Sequence, residues 1–382
     1  MPTDAKFCSK WLQNPDNTDR VNSRWLRQDK TISSFQYIVC NSGDLSCANG
    51  GWANLKRHFN RPKHIQCMKH VFDSIPLTAS NTTRIPFVIV EKEQRALTHD
   101  DIHAQQQCAM ISKGGATALR VMTYNIRYDT ISDGQNQWSN RKAKVFQLIK
   151  DRTPDLLGIQ EALARQMTDL QTALPNYRHY GVGRDDGNTK GEYSAIFYRA
   201  DRFDLLKSGT FWLSPTPTIV GSKGWDAAIT RICSWIQIRD KRTQQVLYHF
   251  NTHYDHKGEN ARLQSSQLIL NQIKTIAGTT TPVIFTGDLN ATPNSDPYRT
   301  IITNTAFKDS YSISEIPHCG PNGTFSTFDV SNKMGDRIDY IFSTSHFKVL
   351  QHGALTDSND GFYPSDHIPV LAEVIIKTDT SG

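Results

Sequence analysis

Carboxylates and amides at the ends of apolar runs are the residues of this chain best suited to chemistry. Asp288 and Asn290 lie in T-G-D-L-N-A-T-P, directly after the apolar run Val283-Ile284-Phe285. Alternation along an extended segment points positions 288 and 290 the same way. One carboxylate can then take a proton from water while the amide orients that water or a phosphate group. Glu161 follows Leu156-Leu157-Gly158-Ile159-Gln160, and a charged carboxylate in such company calls for a cation. His367, in S-D-H-I-P, opens another apolar run, and Asp339 in R-I-D-Y-I is a natural carboxylate to orient it. That pairing keeps an imidazole protonated, and a cationic His beside phosphate stabilises the charge of a pentacovalent transition state. Glu192 with His253 would make a second pair on the opposite side. The plainer roles are an Asx-turn for Asp288 and Asn290 and a helix-dipole contact for Glu161.

These side chains need elements to bring them together. Residues 118–124, 156–160, 193–198, 232–238, 246–252, 283–287, 337–342 and 368–376 read as strands, by apolar runs or alternation. Residues 141–150, 161–174, 259–277 and 296–303 read as helices, the third with Leu263, Leu268, Ile273 and Ile276 near one face. Mixed strands and helices with sequential hairpins predict an α/β fold of two packed sheets flanked by helices. Gly287 is expected to let the backbone turn sharply before the Asp288 loop.

Seven blocks occur in order: T-Y-N-I-R at 123–127, Q-E at 160–161, G-E-Y-S-A-I-F-Y at 191–198, N-T-H at 251–253, G-D-L-N-A at 287–291, R-I-D-Y-I at 337–341 and S-D-H-I-P at 365–369. Their order and wording resemble the endonuclease/exonuclease/phosphatase superfamily, from Leu119 to about Ile376. The resemblance implies a four-layer α/β sandwich and direct attack by water. It implies Glu161 as ligand of Mg2+ or Mn2+, supported by Asn125 and Asp366, and Asp288 as general base with Asn290 as its partner. In the nuclease branch the Glu192–His253 position assists the leaving oxygen. One-metal and two-metal versions stay open. Trp138 and Arg141, in N-Q-W-S-N-R-K, match a W-x-x-R-K element of the deadenylase and nocturnin-type members and could clamp a nucleotide by stacking and a phosphate bond. A Trp covering the edge of the sandwich is the duller alternative. Asp255 and His256, after N-T-H, form a polar loop expected to face substrate. G-V-G-R-D-D-G at 181–187 and G-T-F-W-L-S at 209–214 match a bacterial-type branch that fixes no substrate.

Composition sets wider limits. A chain of 382 residues with 37% hydrophobic residues supports a real core and about two domains. The boundaries predicted are 1–78 for a degenerate zinc-finger-like region, 79–117 for a linker and 118–378 for the catalytic domain. A net charge of +6 favours anionic partners, nucleic acid (RNA or DNA) among them. Seven scattered cysteines read as reduced thiols, and no run reaches the ~18 apolar residues of a membrane span, so cytoplasm or nucleus is the expected place. The first seventy residues are similar to a degenerate C2H2 or BED-like finger: His58 and His64 have zinc-ligand spacing, while Tyr37 stands where a Cys is expected and Cys40 with Cys47 would supply the thiols. Zinc and a metal-free remnant both stay open. Oligomeric state is left undetermined. The expected function is a Mg2+-dependent phosphodiester hydrolase, a nuclease of exonuclease or deadenylase type using water activated by Asp288; the alternatives are a hydrolase of a small or lipid phosphate ester and a finger-based binding protein with a decayed hydrolase domain.

Overall fold

The computed structural model describes three short strands near the N-terminus and residues 114–377. The chain divides into two compact units, Met1–Ala96 and Leu97–Gly382. In the first, β1 (Leu26–Gln28), β2 (Ser34–Tyr37) and β3 (Asp44–Ser46) form an antiparallel sheet in that order. Cys40, Cys47, His58 and His64, the zinc candidates, lie outside the described residues, as does most of the predicted linker.

The second unit holds two six-stranded sheets. One has the order β14-β15-β4-β5-β7-β6, with β4 Leu119–Asn125, β5 Leu156–Ala162, β6 Tyr177–Tyr180, β7 Tyr193–Arg199, β14 Phe347–Ala354 and β15 Val370–Ile376. The other runs β12-β13-β11-β10-β9-β8, with β8 Phe203–Trp212, β9 Ile232–Asp240, β10 Val246–His253, β11 Val283–Asp288, β12 Phe307–Asp309 and β13 Asp339–Thr344. Each sheet contains one parallel pair, β4 with β5 and β10 with β11, and each pair is bridged by a helix as parallel connections require. These helices are α1 (Trp138–Arg152) and α3 (Glu259–Ala277); α2 (Ala164–Ala173), α4 (Asp296–Ile302) and the single turn α5 (Ser310–Ile313) complete the set.

Side-chain alternation sorts the strands into three hydrophobic layers. Val121, Leu156, Ile236, Leu247, Ile284, Ile341 and Ala372 pack between the sheets. Met122, Tyr124, Leu157, Ile159 and Phe197 point the other way, onto Val145, Leu148 and Ile149 of α1 and Leu170 of α2. Tyr248, Phe250, Phe285 and Phe342 face Ile269 and Ile273 of α3 and Ile301 of α4. The result is the expected α/β/β/α sandwich. The strands omitted from the sequence reading, β6, β8, β12 and β14, are edge or near-edge strands, where polar residues are tolerated and the pattern weakens. Residue 161 is the penultimate residue of β5 rather than the first of a helix, which begins three residues later.

The inward faces change character along their length. They are apolar at one end, then carry Thr123, Gln160, His249, Asn251 and Thr286 in mid-sheet, all completely buried, and end in Asn125, His253, Asp288 and Asp339. Asn251 ties the two sheets together: its Nδ2 donates to the carbonyls of Ile159 and Ala195, and its Oδ1 accepts from Gln160 Nε2 at 2.7 Å and Thr286 Oγ1 at 3.0 Å. Cys233 is free and buried, whereas Cys319 is disulfide-bonded, which corrects the reading of all the cysteines as thiols. No helix among the described residues is long and apolar enough to cross a membrane.

Candidate functional site

The polar ends of both sheets lie at the same edge of the sandwich. His253, Asp288 and Asp339 are paired across neighbouring strands, His253 opposite Asp288 and Asp288 opposite Asp339. With a period of two, all three point into the space between the sheets. From the other sheet come Asn125 at the end of β4, Glu161 at an irregularity in β5, Glu192 before β7, and Asp366 and His367 before β15. Glu161 and Asn290 adopt left-handed backbone angles, φ 67° and 45°. Such angles cost on the order of 1–3 kcal/mol for a non-glycine residue and gather where geometry serves a site. Gly287 is near-extended rather than sharply turned; it is glycine because a Cβ there would collide with the carbonyl of Thr252.

Asp288 is the hub. It is 1% exposed; Oδ1 accepts from the Asn290 amide at 2.8 Å and Oδ2 from Asn125 Nδ2 at 3.0 Å. His253 Nε2 lies 3.3 Å and His367 Nε2 3.7 Å from the same Oδ2. Burial, then the charge of Asp339, push its carboxyl up to about 7, against His367 and the two hydrogen bonds. His367 Nδ1 is 2.8 Å from Asp339 Oδ2. Burial works against charge on that imidazole, but Asp339 and Asp288 outweigh it and raise its pKa well above the ordinary value. His253 goes the opposite way: burial first, then Arg231 and Arg184, hold it well below. Its Nε2 is 3.0 Å from Asn290 Nδ2, which also donates to the Tyr254 carbonyl. An amide N–H aimed at Nε2 leaves the proton on Nδ1.

Two places could attract a cation. Asp288, Asp339 and His367 form a tight buried group, but its imidazole is hydrogen-bonded and favours the protonated form, which offers no lone pair. Glu161 and Asp366 fit better. Glu161 Oε1 accepts from Asn125 Nδ2 at 3.0 Å and Oε2 from the Tyr128 amide at 3.1 Å. Asp366 has one weak contact, Ser365 Oγ at 3.3 Å, and Arg127 Nη1 at 3.8 Å. Burial, and next to it the charge of Glu161, raise the Asp366 carboxyl. Two carboxylates that repel each other and keep free lone pairs suit a hard divalent ion. Asn125 turns its N–H atoms to Glu161 and Asp288 and its oxygen to the Arg127 amide, so it orients both carboxylates.

The residues expected to face substrate are placed differently. Trp138 is 2% exposed, its Nε1 donating to Asp169. Arg141 is 3% exposed and donates to the carbonyls of Asn136, Ile126, Pro364 and Arg127. Arg141 is a buried support of the loop that follows Asn125, and Trp138 is buried beneath it against Phe146 and the Arg141 guanidinium; neither keeps a face for a nucleotide. Asp255 caps its own turn, accepting from the amides of Lys257, Gly258 and Ile229. These bonds outweigh burial and hold its carboxyl at about 2. His256 stays exposed, 3.5 Å from Arg231 Nη2. Glu192 is gripped by both Nη atoms of Arg184 at 2.7 and 2.8 Å, while His253 Nδ1 remains 4.0 Å away. Arg184 and Arg231 were not among the sequence candidates. The signal available was Arg184 within G-V-G-R-D-D-G, whose carbonyl is held by Trp212 of G-T-F-W-L-S.

Known proteins resemble this chain in sequence and fold. The chain is 42% identical to a solved endonuclease/exonuclease/phosphatase protein of Bacteroides vulgatus, over 68% of this chain and 100% of that one, with a TM-score of 0.65. It is 39% identical to mannosyl-6-phosphatase Bt3783 of Bacteroides thetaiotaomicron, with the same coverages and TM-score. Among curated relatives it is 25% identical to nocturnin of Xenopus laevis, over 68% of this chain and 73% of that protein. It is 21% identical to an RNA exonuclease of Saccharomyces cerevisiae, over 64% and 87%. An uncharacterized mimivirus protein matches at 24% over 68% of this chain, which spans 45% of that protein's length. The model of the Endonuclease/Exonuclease/phosphatase family matches residues 122–367, from β4 to the histidine that pairs with Asp339, and this chain belongs to that family of phosphoric ester hydrolases.

Proposed function

We propose that this chain hydrolyses a small phosphate monoester, of the sugar-phosphate kind, by direct attack of water. The observation that carries the reaction is the convergence of Asp288, Asn125, Asn290 and the His367–Asp339 pair beside Glu161 and Asp366. Asp288 accepts the proton of the attacking water, and its raised pKa matches a base that works near neutral pH. Asn125 and Asn290 fix the carboxylate's direction. His367, kept cationic and oriented by Asp339, donates from Nε2 to a phosphate oxygen as negative charge grows there. Glu161 and Asp366 would hold a divalent cation, Mg2+ or Mn2+. When bound, it supplies charge neutralisation and polarises the phosphoryl oxygen. Water's oxygen bonds to phosphorus, the ester P–O bond breaks, and the leaving oxygen takes a proton from solvent while Asp288 holds the one lost by the water, giving an alcohol and phosphate.

The substrate class is supported by the 39% identity to a mannosyl-6-phosphatase across the whole of that protein. The nucleotide clamp expected from Trp138 and Arg141 loses its physical basis, since both are buried. A second reading, hydrolysis of nucleic acid, draws on the yeast RNA exonuclease and on TDP2 of D. rerio solved with a single-strand DNA product, a fold likeness at 20% identity. Purified protein assayed with Mg2+ or Mn2+ on hexose 6-phosphates, poly(A) RNA and single-stranded DNA separates the two. Phosphate release from the sugar esters, lost in Asp288→Asn, is the expected result; cleavage confined to a polynucleotide would move the chain to the nuclease reading.

A further inference from the structure

Two arginines converge beside the base. Arg231 immediately precedes β9 and is 5% exposed. Its Nε and Nη1 have no hydrogen-bond partner, Nη1 lies 3.9 Å from Glu192 Oε2, and Nη2 is 3.5 Å from His256 Nδ1. Arg184 spends both Nη atoms on Glu192. Glu192 is the carboxylate shared by the two guanidiniums, and Asp185 Oδ1 lies a further 3.9 Å from Arg184 Nε. A buried guanidinium with N–H groups left unpaired costs the desolvation of each, so Arg231 is short of hydrogen-bond acceptors.

The shortage lies at a closed crevice beside the base. Arg184, Glu192, Ser194, Arg231 and His253 line it, and His253 is the residue that stands 3.3 Å from Asp288 Oδ2. Its remaining walls are the buried first residues of two strands, Tyr193 of β7 and Ile232 of β9. A monoester phosphate brings two charges and three free oxygens, whereas a diester brings one charge and two.

We propose that Arg231, aligned by the Arg184-locked Glu192, binds the oxygens of a terminal, doubly charged phosphate and makes the enzyme select monoesters over diesters. This rests on the phosphate-monoester reading and adds the residue that enforces it.

Equilibrium binding tests it apart from turnover. Inorganic phosphate and dimethyl phosphate are titrated calorimetrically into the protein and into Arg231→Gln and Arg231→Lys, with near-ultraviolet circular dichroism to check folding. The unsubstituted protein should prefer phosphate by about tenfold or more, a difference of ~1.4 kcal/mol; equal affinities overturn the proposal even if neither variant folds. Folded Arg231→Gln should weaken phosphate by about 10- to 100-fold, the worth of a charged hydrogen bond, and leave dimethyl phosphate nearly unchanged. Arg231→Lys, which keeps charge but loses the fork, should fall between. Unchanged phosphate affinity, or equal loss for both anions, overturns it. With 4-nitrophenyl phosphate as substrate, Arg231→Gln should raise KM more than it lowers kcat. A protein that binds phosphate as described but hydrolyses no monoester would sink the functional reading and leave the binding site standing.

Discussion

At the scale of single residues, the site separates charge states that identical side chains would share in water. Asp288 is pushed up to about 7 while the neighbouring His367 is raised well above its ordinary value and His253 is held below its own. The base form of Asp288 grows as pH rises through about 7, so kcat/KM should fall as pH drops below that point, and a bound cation moves the limb downward. A rate independent of pH between 5 and 8 would remove Asp288 as base. Asp288→Asn should lower kcat by about 10²–10⁴-fold while divalent-ion binding, followed by calorimetry, persists. The sign for stability is opposite. A carboxyl whose folded pKa is raised contributes stability at low pH that is lost as pH climbs through about 7. In chelator, Asp288→Asn should therefore melt at least as high as the unsubstituted protein above pH 7, and a lower melting temperature would refute the burial argument. Asp288, Asn290, Glu161, Asp339 and His367 were legible because each ends or opens an apolar run. Arg231 was not: the sequence shows only a positive charge before a strand, and nothing local says that it is buried.

Elements explain why some candidates left the site. Trp138, Arg141, Val145, Leu148 and Ile149 are the buried positions of α1, and their spacing of three or four residues puts them on one helical face. Periodicity extended to the helix start would have assigned Trp138 and Arg141 to the interior; starting the helix at 141 hid it. Trp138→Phe should remove the bond to Asp169 and cost about 0.5–1.5 kcal/mol in chemical denaturation, with KM for any substrate unchanged. A large KM increase would return Trp138 to the binding surface. In β5 the matching constraint is Gly158, where a Cβ would lie 2.5 Å from both Asn251 Oδ1 and Thr286 Oγ1. Gly158→Ala should destabilise by about 1–3 kcal/mol through overpacking, and a variant as stable as the parent would mean the sheets can separate there without penalty.

The whole molecule is a device for registering two sheets against each other. Asn125, Glu161, Asp366 and His367 belong to one, Asp288, His253 and Asp339 to the other, and their hydrogen bonds cross the gap only at the polar edge. An apolar layer alone would hold the sheets together but would tolerate sliding, because burial is not directional. Asn251 removes that freedom, since its four bonds reach two strands of the opposite sheet and one neighbour in its own. The order of motifs made the sandwich legible, yet this lock was not, because an Asn in N-T-H reads as another candidate for the active edge. Asn251→Leu keeps the volume and forfeits the bonds, leaving the carbonyls of Ile159 and Ala195 and the Gln160 amide buried without it. The expected cost is roughly 2–4 kcal/mol, seen as a melting temperature lowered by about 5–15 °C for a domain of this size. Because the two halves of the site then lose their fixed spacing, kcat should fall by about tenfold or more even well below the melting temperature, as small misplacements of reacting groups do. A variant that is destabilised but retains full kcat at low temperature would show that the catalytic edge keeps its own register, through Asn125 and the His367–Asp339 pair, without help from the interior.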